Sequence, residues 1–367
     1  MAAAGRPVAV HQFVPTLNPH DATGTHTIMV RDILRRAGWR SDIFAEAIHD
    51  DLATEAYKHW MYPEHAAKGD VALYQFTTSS AVAAYLLERD LPLILDSHNF
   101  TDPELFAGWE PHNVERASRA AEELARLAPR ALLGLADSSF NARGLGRAGC
   151  RRTAVVPVLA DYDRVTTAPD PRVGAELAAL KEGGGADLVF VGRVVPSNAQ
   201  HELVKVLWTY RRLYDPQARL HLLGGTSSYA YSKSLRDFAE DLGLAGAVRL
   251  AGEISDAALS AYFGAADVFV SLSRHEGFGV PLVEAMSAGV PIVTRDAGAV
   301  TETVDGAALV LESVEPSYVA AAVRRVCTDE RLRRALVQRG HQRAAELQGD
   351  AVAARLVDAV ASVVGAP

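Results

Sequence analysis

Short apolar runs alternate along the whole chain with longer stretches in which apolar residues recur at helical spacing. That rhythm predicts βα units and parallel sheets. A strand covered on both faces reads as an unbroken apolar run, while its crossover helix shows one apolar stripe. In the first half, strands are expected over residues 7–14, 41–45, 71–76, 91–96, 131–136 and 154–158, with helices over 28–37, 81–89, 114–127 and 140–147. In the second half, strands are expected over 187–192, 220–224, 248–251, 268–272, 291–294 and 308–311. The helices there fall over 201–213, 232–242, 256–265, 281–287, 317–328 and 330–347.

Between the halves, residues 166–185 carry two prolines and the run Gly183-Gly184-Gly185, the composition of an interdomain connection with room for a helix over 173–181. The expected organisation is an N-terminal Rossmann-like domain over 1–165, a linker over 166–185 and a C-terminal Rossmann-like domain over 186–350. A last helix over 351–367 is expected to pack back on the first domain. The fold class is α/β, with two doubly wound domains facing across a cleft. Such domains bind ligands where the C-terminal ends of the strands open.

Composition sharpens this picture at three points. The length of 367 residues suits two domains better than one core. A net charge of -8 argues against a nucleic-acid partner, whose phosphates need a basic surface. Two cysteines, Cys150 and Cys327, lie far apart without metal-type spacing, which fits unpaired thiols in a reducing compartment. The first residues run directly into the apolar stretch from Val8 without the longer apolar region of a secretory leader, and no stretch approaches a membrane span. A cytoplasmic protein with at most peripheral membrane contact is expected.

The segment that carries chemistry is His275-Glu276-Gly277-Phe278-Gly279-Val280-Pro281-Leu282-Val283-Glu284, which follows one strand and opens a helix. Pro281 suits a first helical turn, the glycines allow close approach of backbone, and free amides at a helix start favour an anion such as phosphate. Glu284 lies about one turn into that helix, where a carboxylate can accept bonds from two neighbouring hydroxyls such as those of a ribose. A plainer account is open from spacing alone: Glu284 complements the helix dipole and the glycines form a turn.

This segment resembles the Glu-x7-Glu signature of family 4 retaining glycosyltransferases of the GT-B fold. The words around it agree in order: Val191-Gly192-Arg193-Val194-Val195-Pro196, Leu222-Leu223-Gly224-Gly225, Leu250-Ala251-Gly252-Glu253-Ile254, residues 265–273, and Gly289-Val290-Pro291-Ile292-Val293 followed by 298–302. The similarity covers nearly all of residues 186–345. The resemblance implies that Glu276 contacts hydroxyls of a donor sugar, that Glu284 takes the nucleotide ribose, and that Arg193 holds the diphosphate. It further implies that backbone around Gly277, Phe278, Gly279 and Val280 covers the sugar or phosphate, and that the turn from Gly252 to Ile254 lies against the base. No cofactor or metal is expected beyond the nucleotide-diphosphate sugar itself.

One position departs from the family pattern. Where a lysine usually pairs with the diphosphate, this chain has Asn198. Losing one charge-assisted contact costs roughly 1.5–3 kcal/mol, which Arg193 and the helix amides could survive. Lys205 or His201 on the following helix is a candidate to reach back instead, although an exposed helix lysine is more often simply solvated. A donor with less phosphate charge and a catalytically weak protein are the other readings.

The N-terminal half speaks more softly. Gly24, in a loop expected over 21–27, takes the place of a family glycine near the donor phosphates, though such loops commonly only cap a helix. His98, in Asp96-Ser97-His98-Asn99, closes a strand on the ligand side, and the family often carries a histidine there beside the transferred sugar. Residues 136–141 resemble the strand end before the last helix of that domain. Asp161-Tyr162-Asp163 has the form of a metal motif of the other large glycosyltransferase fold but sits at the edge of the linker. The helix over 114–127 mixes Arg116, Arg119 and Arg126 with Glu122 and Glu123, as a solvated face does.

No Ser-His-Asp set, zinc cluster or phosphate-binding Walker loop is present. The family resemblance implies a metal-independent, retaining hexosyltransferase with a front-face mechanism. The acceptor hydroxyl belongs to a glycan, a lipid-linked sugar or a secondary metabolite. A sugar-nucleotide epimerase or a non-catalytic nucleotide-sugar-binding protein is the alternative.

Overall fold

The apolar rhythm folds into two all-parallel sheets, each with helices on both faces. The computed structural model describes residues 8–19, 21–98 and 102–366; Pro7 of the first expected strand and Asn99 beside His98 lie outside them. The described residues form two compact units. The first comprises those up to Glu104, His112–Asp161 and those from Leu347 on; the second comprises Leu105–Pro111 and Tyr162–Glu346.

In the first unit the elements run β1 (Val10–Leu17), α1 (Ala22–Ala37), β2 (Ile43–Ile48), β3 (Tyr57–Lys58), α2 (Tyr62–His65), β4 (Val71–Phe76), α3 (Ala81–Leu87), β5 (Leu93–Ser97), α4 (Pro111–Leu127), β6 (Ala131–Ala136), α5 (Ser139–Arg147) and β7 (Thr153–Val155). The strands lie in the order β3-β2-β1-β4-β5-β6-β7. Strand β4 shows why its sequence is continuously apolar. Val71 and Leu73 enter the core on one side, and Ala72, Tyr74 and Phe76 enter the core on the other.

Helix α1 begins well before the expected residue 28. Asp21 caps it by accepting from the Gly24 amide at 2.6 Å, so the expected loop over 21–27 is the first turns of the helix. A final helix of the chain, spanning Asp350–Val364, returns to this unit and packs on α1 and β6 through the fully buried Val352, Leu356 and Val360.

The second unit continues with α6 (Pro171–Glu182), β8 (Asp187–Val191), α7 (Gln200–Leu213), β9 (Arg219–Leu223), α8 (Tyr229–Asp241), β10 (Val248–Gly252), α9 (Asp256–Ala265), β11 (Val268–Ser271), α10 (Val280–Ser287), β12 (Ile292–Arg295), α11 (Val300–Val304), β13 (Ala308–Leu311), α12 (Pro316–Thr328) and α13 (Glu330–Glu346); the returning helix Asp350–Val364 is α14. Helix α6 occupies most of the stretch 166–185 and packs on α9.

The second sheet has the order β10-β9-β8-β11-β12-β13. Its order reverses direction between β8 and β11, and in such a sheet the crevice beyond those two strand ends is the place for a ligand. Asp187, at the opposite end of β8, is a structural group. It takes Arg219 through both carboxylate oxygens at 2.6 and 3.0 Å and also contacts His221 at 3.0 Å, which holds its carboxyl far below the usual range.

Candidate active site

The residues singled out by sequence emerge at that reversal point of the second sheet. After β8 the chain turns through Gly192 and Arg193, and after β11 it runs through Ser273 and Glu276 into α10. Backbone packs closely where β8 and β9 end: a side chain on Gly224 would collide with the Gly192 carbonyl, and Gly224 has φ of 135°. Two amides hold the first turn. Asn198 Nδ2 and Gln200 Nε2 both donate to the Arg193 carbonyl, at 2.8 and 2.7 Å. Asn198 therefore supports the loop rather than offering charge. The Arg193 side chain is exposed and makes no ion pair among the described residues.

The second segment is tied to the first, since the Arg274 amide donates to the Ser197 carbonyl at 2.7 Å. Glu276 is fixed by its backbone: its carbonyl accepts from the Ala299 amide at 2.9 Å, and Gly298, at φ of 65°, leaves no room there for a side chain. Burial pushes the Glu276 carboxyl up to about 7, with Ser273 donating to it as an opposing influence. Gly279 takes a left-handed conformation with φ of 87° and starts α10, with Pro281 in the first turn. Thr303 braces the turn through a 2.6 Å bond to the Phe278 carbonyl. Gly277, Phe278 and Gly279 are buried and Val280 half-buried.

Glu284 is 1 % exposed and faces a residue that sequence reasoning missed. Arg164 donates from Nε and contacts with Nη2 the same carboxylate oxygen, Oε1, at 2.7 and 2.6 Å, and its Nη1 reaches Asp256 at 3.0 Å. The other oxygen, Oε2, is buried without a hydrogen-bond partner among the described residues. Burial pushes the Glu284 carboxyl up, and Arg164 opposes it.

The turn after β10 is open at Gly252, whose φ is 73°, and Ile254 is half-buried. Lys205 lies apart from these groups in its contacts: it pairs with Glu202 on its own helix at 3.1 Å. His201 is engaged as well, through Tyr231 at 2.9 Å and Glu202 at 3.2 Å.

In the first unit, His98 stands at the end of β5 within a buried hydrogen-bonded chain. The same face of neighbouring strands passes from apolar to polar, from Val10 to Gln12 early in β1 and, near the C-terminal ends of β4 and β5, from Leu73 to Gln75 and from Ile94 to Asp96. Gln12 donates to the Thr27 carbonyl at 2.9 Å, so its amide oxygen is left to accept from Gln75 at 2.9 Å. The Gln75 oxygen then faces His98 Nε2 at 2.5 Å, and Nδ1 faces Asp137 at 3.1 Å. Both ring nitrogens meet acceptors, which requires both to carry protons. The carboxylates of Asp137 and Asp96 overcome burial and bring the His98 ring up to about 9.

His26 lies edge-on to His98, accepts from the Leu159 amide at 2.9 Å and approaches Asp96 at 3.1 Å. The atoms of His26, Asp96 and His98 lie close enough to hold a metal ion, which would have to displace the proton that Gln75 and Asp137 favour on His98. Gly24 contributes compactness, because a side chain on it would strike the Asn18 carbonyl. The Asp163 carbonyl accepts from Thr166 at 2.8 Å in the turn that also carries Arg164.

Two Rossmann-like units of this kind, the second with its sheet order reversing between β8 and β11, make up the GT-B class of glycosyltransferase fold. Solved structures agree across almost the whole chain. Sucrose-phosphate synthase from Thermosynechococcus elongatus superposes with a TM-score of 0.76 at 17% identity, covering 98% of this chain and 100% of that one. HepE of Anabaena, solved in complex with UDP-glucose, gives 0.75 at 18% identity, with 96% and 99% covered. Residues 178–343 match the family model described as glycosyl transferases group 1.

Among curated relatives, a GDP-mannose-dependent alpha-(1-6)-phosphatidylinositol monomannoside mannosyltransferase of Mycobacterium tuberculosis is 32% identical over 214 residues, 55% of this chain and 54% of that protein. A D-inositol 3-phosphate glycosyltransferase of Geodermatophilus obscurus is 31% identical over 272 residues, 70% and 58%. The chain thus spans about half the length of the curated relatives it matches. Among the described residues no helix is long and apolar enough to cross a membrane.

Proposed function

We propose that this protein transfers a hexose from a nucleotide-diphosphate sugar to a hydroxyl-bearing acceptor, with retention of anomeric configuration and without a metal. The second unit binds the donor and the first carries the acceptor side. The observation that carries the reading is the buried, unpartnered Oε2 of Glu284, in the family-matched segment that opens α10 at the reversal of the sheet. A buried carboxylate oxygen left without a donor costs free energy, and a sugar or ribose hydroxyl would supply that donor.

Arg193, without an ion pair among the described residues, and the amides at the start of α10 would stabilise charge on the diphosphate as it leaves. In a front-face step the acceptor oxygen bonds to the anomeric carbon as the bond from that carbon to the diphosphate oxygen breaks. The acceptor proton passes to that oxygen. Glu276 would position the sugar, and the protonated His98 would act electrostatically rather than as a base. GDP-mannose, named for a mycobacterial relative, and UDP-glucose, bound in the HepE structure, are the first donors to try. The acceptor class stays a glycan, a lipid-linked sugar or a secondary metabolite.

The test is a calorimetric screen of the full chain against UDP, GDP, ADP and TDP and their sugar conjugates, with Glu284→Ala beside it. One nucleotide should bind, and the variant should weaken it about tenfold or more, the scale of a lost hydrogen bond to a charged group. Binding of none, or binding indifferent to Glu284→Ala, would overturn the reading.

A further inference from the structure

The carboxylate of Glu284 is held asymmetrically. Arg164 donates from Nε to Oε1 and contacts it with Nη2, while the buried Oε2 receives nothing from the described residues. The guanidinium is itself fixed at its far end by Asp256 on α9. Its backbone is set in a tight turn between the buried Tyr162 and Val165, where Thr166 and Thr167 donate to the carbonyls of Asp163 and Arg164 at 2.8 and 2.9 Å. Ser260 of α9 then donates to the Thr167 carbonyl at 2.7 Å. The arginine is thus anchored by side chain and by backbone to α9, and the turn that carries it packs on α10.

We propose that Arg164 is a positioning residue for nucleotide ribose recognition: by saturating Oε1 it fixes the Glu284 carboxylate as an anion and leaves Oε2 as the acceptor for a ribose hydroxyl. The proposal rests on the reading of Glu284 as the ribose partner. Arg164 touches Glu284 and not the ligand. Its planar fork can place two donors on one oxygen, which a lysine ammonium cannot reproduce with the same geometry. Without it, the buried carboxyl would favour its neutral form and could rotate either oxygen toward the site.

A purely structural salt bridge and a positioning device differ in one readout, the preference for ribose over deoxyribose. Affinities of the full chain would be measured by calorimetry for UDP and GDP and for their 2′-deoxy forms, in wild type, Glu284→Gln, Arg164→Gln and Arg164→Lys. Circular dichroism would establish that each variant is folded. Wild type should prefer the ribonucleotide about tenfold, and Glu284→Gln should reduce that preference to about twofold or less. Arg164→Gln should reduce it likewise, mainly by weakening the ribonucleotide, and Arg164→Lys should fall between. Lysine keeps a charge at this position, so that variant carries the test if Arg164→Gln fails to fold.

A wild-type preference that survives in both Arg164 variants would overturn the role of Arg164 and leave the donor reading standing. A wild type that binds both sugars equally would remove the role of Glu284, and that of Arg164 with it.

Discussion

His98 owes its second proton to Thr27, a residue it never touches. Reversing the Gln75 amide would make it a donor to Nε2, but its oxygen would then oppose the oxygen of Gln12, and Gln12 cannot reverse without turning its own oxygen onto the Thr27 carbonyl. Geometry and charge therefore give the same imidazolium, stabilised by Asp137 and Asp96. The folded value of about 9 lies above the ordinary 6.5, so the stabilisation is complete below about pH 6.5 and is lost as pH rises through 9. Wild-type unfolding free energy from denaturant titration should fall between pH 6.5 and 9.5, by an amount on the order of 3 kcal/mol. His98→Gln should lack that fall; an equal fall in both proteins would remove the charged state.

The loop that carries Gly298 behaves as a clamp on the candidate site, because it sits against the backbone of Glu276 and binds its carbonyl through Ala299. Gly298→Ala puts a methyl group into that carbonyl and holds alanine at a positive φ, each costing on the order of 1–3 kcal/mol. Donor affinity in a calorimetric titration should fall while the fold persists by circular dichroism, and unchanged affinity would show that the clamp does not set Glu276.

Elements of this kind were legible where periodicity was long. The expected strand over 71–76 coincides with β4, and the expected helix over 256–265 coincides with α9. The start of α1 was not, because Thr23, Gly24, Thr25 and Thr27 have loop composition and only Asp21 marks the cap. Strand β3 and helix α2 are too short to show a period. In the site, glycines and acids at fixed spacing gave themselves away. Arg164 did not, because its meaning depends on Glu284, 120 residues further along the chain.

At the scale of the molecule, the two units differ in how the chain makes them. The core of the first is finished by α14, whose Val352, Leu356 and Val360 lie with Val30, Ile33 and Leu34 of α1 and with Leu133 and Leu135 of β6. Leu356→Ala should cost about 2–5 kcal/mol of stability, the range for emptying a buried leucine site. Differential scanning calorimetry should place that loss in the transition of the first unit; a loss confined to the second would contradict the packing.

The return of α14 also sets an order of assembly during translation. Nearly all of the second unit is one uninterrupted run, Tyr162–Glu346, and it can close as soon as that run has left the ribosome. The first unit, although most of it is synthesised earlier, must keep an apolar face on α1 and β6 uncovered until α14 emerges. That face is where a chaperone would hold the nascent chain.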